Sequence, residues 1–226
     1  MNIVVCVKQV PRAGEVSIAP DTGTLMREGV ESEVNPLDLH AVEAAVRLRE
    51  RLGGRVTALS MGPPQAEEAV REAVARGCDE GVLLSDRAFA GSDTWATSFA
   101  LAGAIRHIGD VDLALCGKQA TDGDTAQVGP ELAAHLGWTQ ATYVCSVQGA
   151  YQSGLVVDSL TDTGIEPLRV GLPAVLTVLK DLNQPRLTSL PARMHARRCS
   201  VRRMGAEDLP GDPRRLGLDG SPTRVV

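Results

Sequence analysis

Four times in the first 140 residues a short strand-like run precedes a longer stretch with helical spacing. The runs are 2–8 (NIVVCVK), 55–61 (RVTALSM), 80–85 (EGVLLS) and 111–117 (VDLALCG). The stretches after them are 35–54, 63–77, 92–109 and 125–137. Strands joined by crossover helices require a mostly parallel sheet with helices on both faces. The first helix is the best marked. Asn35 is an N-cap candidate and Pro36 suits the first helical position. Leu39, Val42, Ala45, Val46 and Leu48 keep one apolar face, and Gly53 with Gly54 ends it.

The remainder departs from this alternation. Residues 13–32 are rich in turn formers and read as a hairpin excursion. Residues 140–148 read as another strand. After it come two or three antiparallel strands and a return strand at 173–180. From Asp181 the chain is rich in Pro and Arg and poor in apolar residues. The expected organisation is an α/β parallel-sheet nucleotide-binding domain over 1–182, with an antiparallel addition, then an extended partner-binding arm over 183–226.

Composition excludes several classes. The net charge of −5 gives no general attraction to nucleic acid, and 3% aromatic residues leave few rings for base stacking. No apolar stretch approaches the roughly 20 residues a membrane span needs. No signal peptide is legible at the N-terminus, so a cytoplasmic location is expected. The five cysteines form no CxxC pair and read as buried thiols in a reducing compartment.

Open parallel sheets bind ligands beyond the carboxyl ends of their strands. The loops there are KQVP, MGPP, SDRAFAGSDT and CGKQATDGDT, all rich in Gly, Pro or Asx. In the last, a helix expected near residue 125, capped by Asp124 or Thr125, would present its free amides. A phosphate would then lie against the amides of 124–128, with Gly123 permitting a tight backbone. Thr125 adds a hydroxyl, and Gln119 and Gln127 are further donors. Asp122 would accept from a ribose hydroxyl or stabilise the turn. The competing reading is that both aspartates only cap and turn. DGDT also resembles the DxDxT of aspartyl-phosphate hydrolases, but five residues separate Cys116 from Asp122, where that motif follows its strand directly. The four histidines are dispersed, and no nucleophile–base arrangement stands out. The chain reads as a ligand holder and not a stand-alone enzyme; any redox chemistry would belong to a cofactor.

MNIVVCVKQVP, NPLDLHAVEAAVRL, SDRAFAGSDTWATS, CGKQATDGDTAQVGPELAAHLG and LPAVLTVLKDLNQPRLTSLPARMHAR together resemble the β subunit of electron-transfer flavoprotein over nearly the whole chain. The resemblance implies an electron-carrier subunit paired with an FAD-containing α subunit. It also implies a buried nucleotide: AMP in ordinary members, FAD in electron-bifurcating ones. Ala126 and Val128 stand where AMP-binding members often have Asn and Thr, and the third-strand loop resembles the bifurcating branch, so FAD is expected, with AMP as the alternative. The implied nucleotide contacts are Val7, Lys8, Asn35, Met61, Gly62, Asp93, Thr94 and Thr97, then Gly117, Gln119, Asp122, Gly123, Thr125, Gln127 and Val128. Arg87 is a candidate cation near a flavin ring. Leu190 matches the loop that anchors a flavoprotein redox partner such as an acyl-CoA dehydrogenase. The separate-class alternatives are a stand-alone adenine-nucleotide-binding regulatory domain and a phosphohydrolase.

Overall fold

Alternation along the first strand explains the two helical layers. The computed structural model describes residues 1–12, 17–18, 25–26, 31–151 and 153–223. In β1 (Asn2–Cys6), Ile3 and Val5 join the apolar cluster on one face of the sheet, while Val4 and Cys6 join the cluster on the other. A strand whose successive side chains are all buried must lie between two layers.

The chain continues through β2 (Gln9–Pro11), β3 (Ser17–Ile18), β4 (Leu25–Met26), β5 (Ser32–Val34), α1 (Pro36–Leu52), β6 (Arg55–Met61) and α2 (Glu67–Ala75). Next come β7 (Glu80–Leu84), α3 (Thr94–Ile108), β8 (Leu113–Gly117) and α4 (Val128–Leu136). It ends with β9 (Thr139–Tyr151), β10 (Gly154–Thr161), β11 (Gly164–Gly171), β12 (Ala174–Val178), α5 (Leu190–Arg198) and β13 (Val201–Met204). Helices α1 and α2 cover one face, with α5 packed on α2, and α3 and α4 cover the other.

The main sheet runs β11-β10-β9-β12-β8-β1-β6-β7-β13. Its members from β9 through β13 in that order pair in parallel, and β10 and β11 add an antiparallel extension. From β1 the chain moves outward through β6 and β7, then returns to place β8 on the opposite side of β1. The gap between β1 and β8 is therefore the topological switch point, where strand ends open a crevice. The hairpin excursion is present as two small antiparallel pairs, β2 with β5 and β3 with β4.

Two expectations are corrected. The segment after 182 is not an extended arm throughout: it forms α5, and β13 pairs in parallel with β7. Met204 is buried there, and the strand covers main-chain groups that β7 would otherwise expose at the sheet edge. The fourth crossover helix starts at Val128, not near 125. Asp124 and Ala126 have φ of 53° and 56°, which no α-helix accommodates. Neither Asp124 nor Thr125 caps it; Gln127 is the N-cap position and makes no side-chain cap bond.

Candidate functional site

The carboxyl ends of β1, β6 and β8 surround a cavity of about 380 Å³. Its lining includes Val7, Lys8 and Met61 from the first two strand ends, and Asp93, Thr94 and Thr97 from the start of α3. Gly117, Gln119, Gly123, Thr125, Gln127 and Val128 complete the predicted lining from the loop before α4. Twelve positions scattered over the chain thus meet because parallel strands end on one rim.

The remaining predicted residues sit outside the lining. Asn35 is buried and acts as a staple: its Nδ2 donates to Asp38 Oδ1 and to the Gln119 carbonyl, both at 2.9 Å, and its Oδ1 accepts from the Thr121 amide. Gly62 lets the chain turn tightly, since a Cβ there would lie 2.8 Å from the Ala66 Cβ. Arg87 is exposed on a short 3-10 turn away from the cavity lining. Asp122 accepts from Lys8 Nζ at 2.7 Å and so ties two rim loops together. Leu190 opens α5 with 72% of its surface exposed and is not part of the cavity lining.

Asp38 went unmarked in the sequence, although it organises the site. Its carboxylate accepts from the Lys8 amide at 2.8 Å, the Gly117 amide at 3.2 Å and Asn35. Burial pushes its pKa up to about 7, against the opposing pull of those hydrogen bonds. Gly117 is required by this contact, because a Cβ on it would lie 2.4 Å from Asp38 Oδ1. The signal was indirect: an Asp at the third position of a helix has no local reason to be buried.

Asp93 caps α3 by accepting from the Ala96 amide at 3.0 Å, and it also accepts from the Thr223 amide and hydroxyl. Burial would raise its pKa, but these bonds hold it below the usual carboxylate range. Thr94 and Ser98 donate to Glu131 on α4, whose pKa burial raises.

The loop before α4 has a backbone geometry that differs from the expected helix cap. The Asp124 amide is taken by the Ala120 carbonyl, and the Asp124 side chain accepts from Gln119. The amides of Thr125, Ala126, Gln127 and Val128 have no partner among the described residues. Positive φ at 124 and 126, followed by an αR residue at 127, is the alternation that turns successive N–H groups toward one side. Holding a non-glycine residue in the left-handed region costs about 1–2 kcal/mol; such strain gathers at ligand sites. Gly123 has ordinary φ, and a Cβ on it would meet nothing within 4 Å, so the space beside it is open.

Comparison with known proteins agrees with this architecture. The sequence model of the "Electron transfer flavoprotein domain" family matches residues 22–209. The electron transfer flavoprotein subunit beta of Thermoanaerobacterium thermosaccharolyticum is 50% identical over all of this chain and 86% of its own length. The caffeyl-CoA reductase-Etf complex subunit CarD of Acetobacterium woodii is 47% identical over all of this chain and 86% of its own. Protein FixA of Azorhizobium caulinodans is 45% identical over all of this chain and 83% of its own. With its rim of parallel strand ends and this extent of identity, the chain belongs to the electron transfer flavoprotein family and is a β subunit of it.

Proposed function

We propose that this β subunit holds FAD, with AMP as the alternative, in the cavity at the β1–β8 switch point, and that it pairs with an FAD-containing α subunit to pass electrons between flavoproteins. The observation that carries the reading is the row of unpartnered amides at 125–128, strained toward one side of a cavity and next to the open space at Gly123. A phosphate or pyrophosphate is the ligand that such amides and a helix N-terminus attract. Thr125 and Gln127 would donate to its oxygens. Val7, Lys8 and Met61 would flank the nucleoside. Asp93, Thr94 and Thr97 would border whatever extends past the phosphates. Bound FAD would supply the electron-carrying chemistry. The chain's own part is to bind, orient and exclude water, so no step is assigned to its side chains.

The name of the Acetobacterium woodii relative places that protein in a complex with a caffeyl-CoA reductase. By analogy, this chain would dock a flavoprotein dehydrogenase through the segment around Leu190. Its two leucines, Leu187 and Leu190, are 93% and 72% exposed. The segment before them is held by hydrogen bonds between Asn183 and His40 and by ion pairs of Arg186 with Glu43 and Glu50. A rigid support under exposed apolar side chains lowers the entropy cost of docking.

The test is to co-express the chain with its α subunit, denature the purified heterodimer and identify the released nucleotides. Two FAD per heterodimer supports FAD in this cavity, and one FAD with one AMP supports the alternative. A heterodimer releasing neither from this chain would overturn the reading.

A further inference from the structure

Glu131 is outside the cavity lining, yet it holds a residue that belongs to it. It stands in the first turn of α4, where its amide donates to the Gln127 carbonyl at 3.0 Å. Its Oε1 accepts from the Thr94 hydroxyl at 3.1 Å, at the start of α3. Ser98, whose hydroxyl also reaches the Trp95 carbonyl at 2.9 Å, stands 3.4 Å from Oε2. The helix that follows the 125–128 amides is thereby tied to the start of α3, which lines the same cavity through Asp93, Thr94 and Thr97.

The direction of the bond fixes the polarity of Thr94. A carboxylate has only lone pairs, so the single hydroxyl proton of Thr94 is given to Glu131. What remains on Thr94 is acceptor capacity, and no described residue donates to it. Its neighbours differ. Asp93 already engages its carboxylate with the Ala96 amide and with Thr223. Thr97 makes no side-chain hydrogen bond among the described residues, so its hydroxyl is free to donate or to accept.

We propose that Glu131 is a positioning residue of the nucleotide cavity: by taking the Thr94 proton it makes Thr94 an obligate acceptor, which selects a ligand with an O–H or N–H donor beside the start of α3. This role presupposes the bound nucleotide proposed above and adds a polarity to its site. The free amides at 125–128 suit an anion, whereas Thr94 requires a donor. A phosphate oxygen at Thr94 would meet lone pairs, with the carboxylates of Asp93 and Glu131 nearby. The two ends of one ligand therefore cannot exchange places. A sugar or polyol hydroxyl and a ring N–H share the donor chemistry.

The test is a double-mutant cycle on the heterodimer, with the nucleotide of this chain removed and the α subunit's FAD left in place. Calorimetry at pH 8 reads the affinity for FAD and, separately, for AMP. Glu131→Met keeps the length but offers no oxygen, and should weaken binding about fivefold. Thr94→Val should weaken it similarly. Adding E131M to T94V should then change affinity by less than about twofold, because Glu131 acts only through Thr94. Glu131→Gln keeps an accepting oxygen and should stay within about twofold of the unaltered protein. Coupling with FAD alone places the donor past the phosphates, and coupling with AMP places it on the nucleoside; either supports the role. No loss in E131M, a loss that persists in full in the T94V background, or an equal loss in E131Q overturns it. Should E131M fail to fold, E131A takes its place in the same cycle. Failure of both FAD and AMP to bind the unaltered heterodimer overturns the nucleotide reading and this role with it, whereas binding without coupling overturns this role alone.

Discussion

Lys8 Nζ donates to Asp122 Oδ1 at 2.7 Å, joining the loop after β1 to the loop after β8 across 114 positions of sequence. The two side chains remain 48% and 24% exposed, so water screens the pair. Exposed ion pairs contribute about 0–1 kcal/mol. Asp122→Asn is therefore expected to lower the unfolding free energy by less than about 1 kcal/mol. Amide exchange at 118–126 should nevertheless accelerate, because the loop loses its tie. Hydrogen-exchange mass spectrometry with a urea titration checks both. A global loss well beyond that range would show that the loop supports the core.

Asp38 should leave a signature in the pH dependence of stability. Its folded pKa of about 7 lies above the ordinary value of 3.8. Between these values the folded state keeps a proton that the unfolded state has released. Stability from this group is accordingly greatest below pH 4, falls as pH rises toward 7, and is flat above. The slope is at most about 1.4 kcal/mol per pH unit. Asp38→Asn should remove that slope, as read from urea midpoints at successive pH values. Asp38→Ala should cost about 1–3 kcal/mol, since it strands the Lys8 and Gly117 amides and the Asn35 side chain.

Gly117, which ends β8, and Gly123, in the loop after it, are expected to behave oppositely. A Cβ at Gly117 would strike Asp38 Oδ1 and the main chain of Leu37 and Asp38 at 2.4–2.9 Å, so Gly117→Ala should destabilise by about 1–3 kcal/mol. A Cβ at Gly123 meets nothing, so Gly123→Ala should change stability by no more than about 0.5 kcal/mol. Gly123→Ala should still weaken nucleotide retention about tenfold, or 1.4 kcal/mol, by filling the space beside the free amides. Calorimetry of nucleotide rebinding, paired with thermal unfolding, separates the two effects.

Arg186 secures the segment that precedes Leu187. It pairs with Glu43, whose side chain is 3% exposed, and with Glu50. The hydrogen bonds from Arg186 and Arg47 hold the Glu43 carboxyl below its usual range although burial alone would raise it. Arg186→Ala leaves Glu43 with Arg47 as its remaining ionic partner. The expected cost is about 1–3 kcal/mol, below that of fully orphaning a buried charge. Arg186→Lys should recover only part of it, because an ammonium cannot reproduce the forked contact. Chemical denaturation of the three proteins checks the order.

Leu190→Ala should change stability by less than about 0.5 kcal/mol, because the side chain buries little in its own subunit. If the segment docks a dehydrogenase, truncating this anchor should cost about 1–2 kcal/mol, a roughly five- to thirtyfold rise in half-saturation by the partner. Steady-state electron transfer with varied partner concentration reads this directly. An unchanged half-saturation would move the docking surface elsewhere.

Much of the scaffold was legible because it follows local periodicity. Pro36 begins α1 and Gly53 ends it, as the residue types require. β1, β6, β7 and β8 all pair in parallel, as their crossover helices demand. The C-terminal segment was misread for a physical reason. Val201–Met204 is a four-residue run with two arginines at its centre, and its value as a strand comes from the open edge of β7. Edge pairing has no local period to betray it. The helix start near 125 was misread because Asp and Thr are ordinary caps. The left-handed turns at Asp124 and Ala126 are imposed by surrounding contacts, among them the ties from Gln119 and Asn35.

The sequence by itself determined the alternation of strands and helices, and hence a rim where parallel strands end together, because side-chain periodicity and chain-terminating residues act over a few positions. Tertiary structure alone decided that Asp38 would hold the Lys8 and Gly117 amides, and that the amides from Thr125 to Val128 would find no partner among the described residues. Each depends on groups brought together from distant segments, and burial and hydrogen-bond satisfaction are properties of that meeting which no short stretch of residues contains.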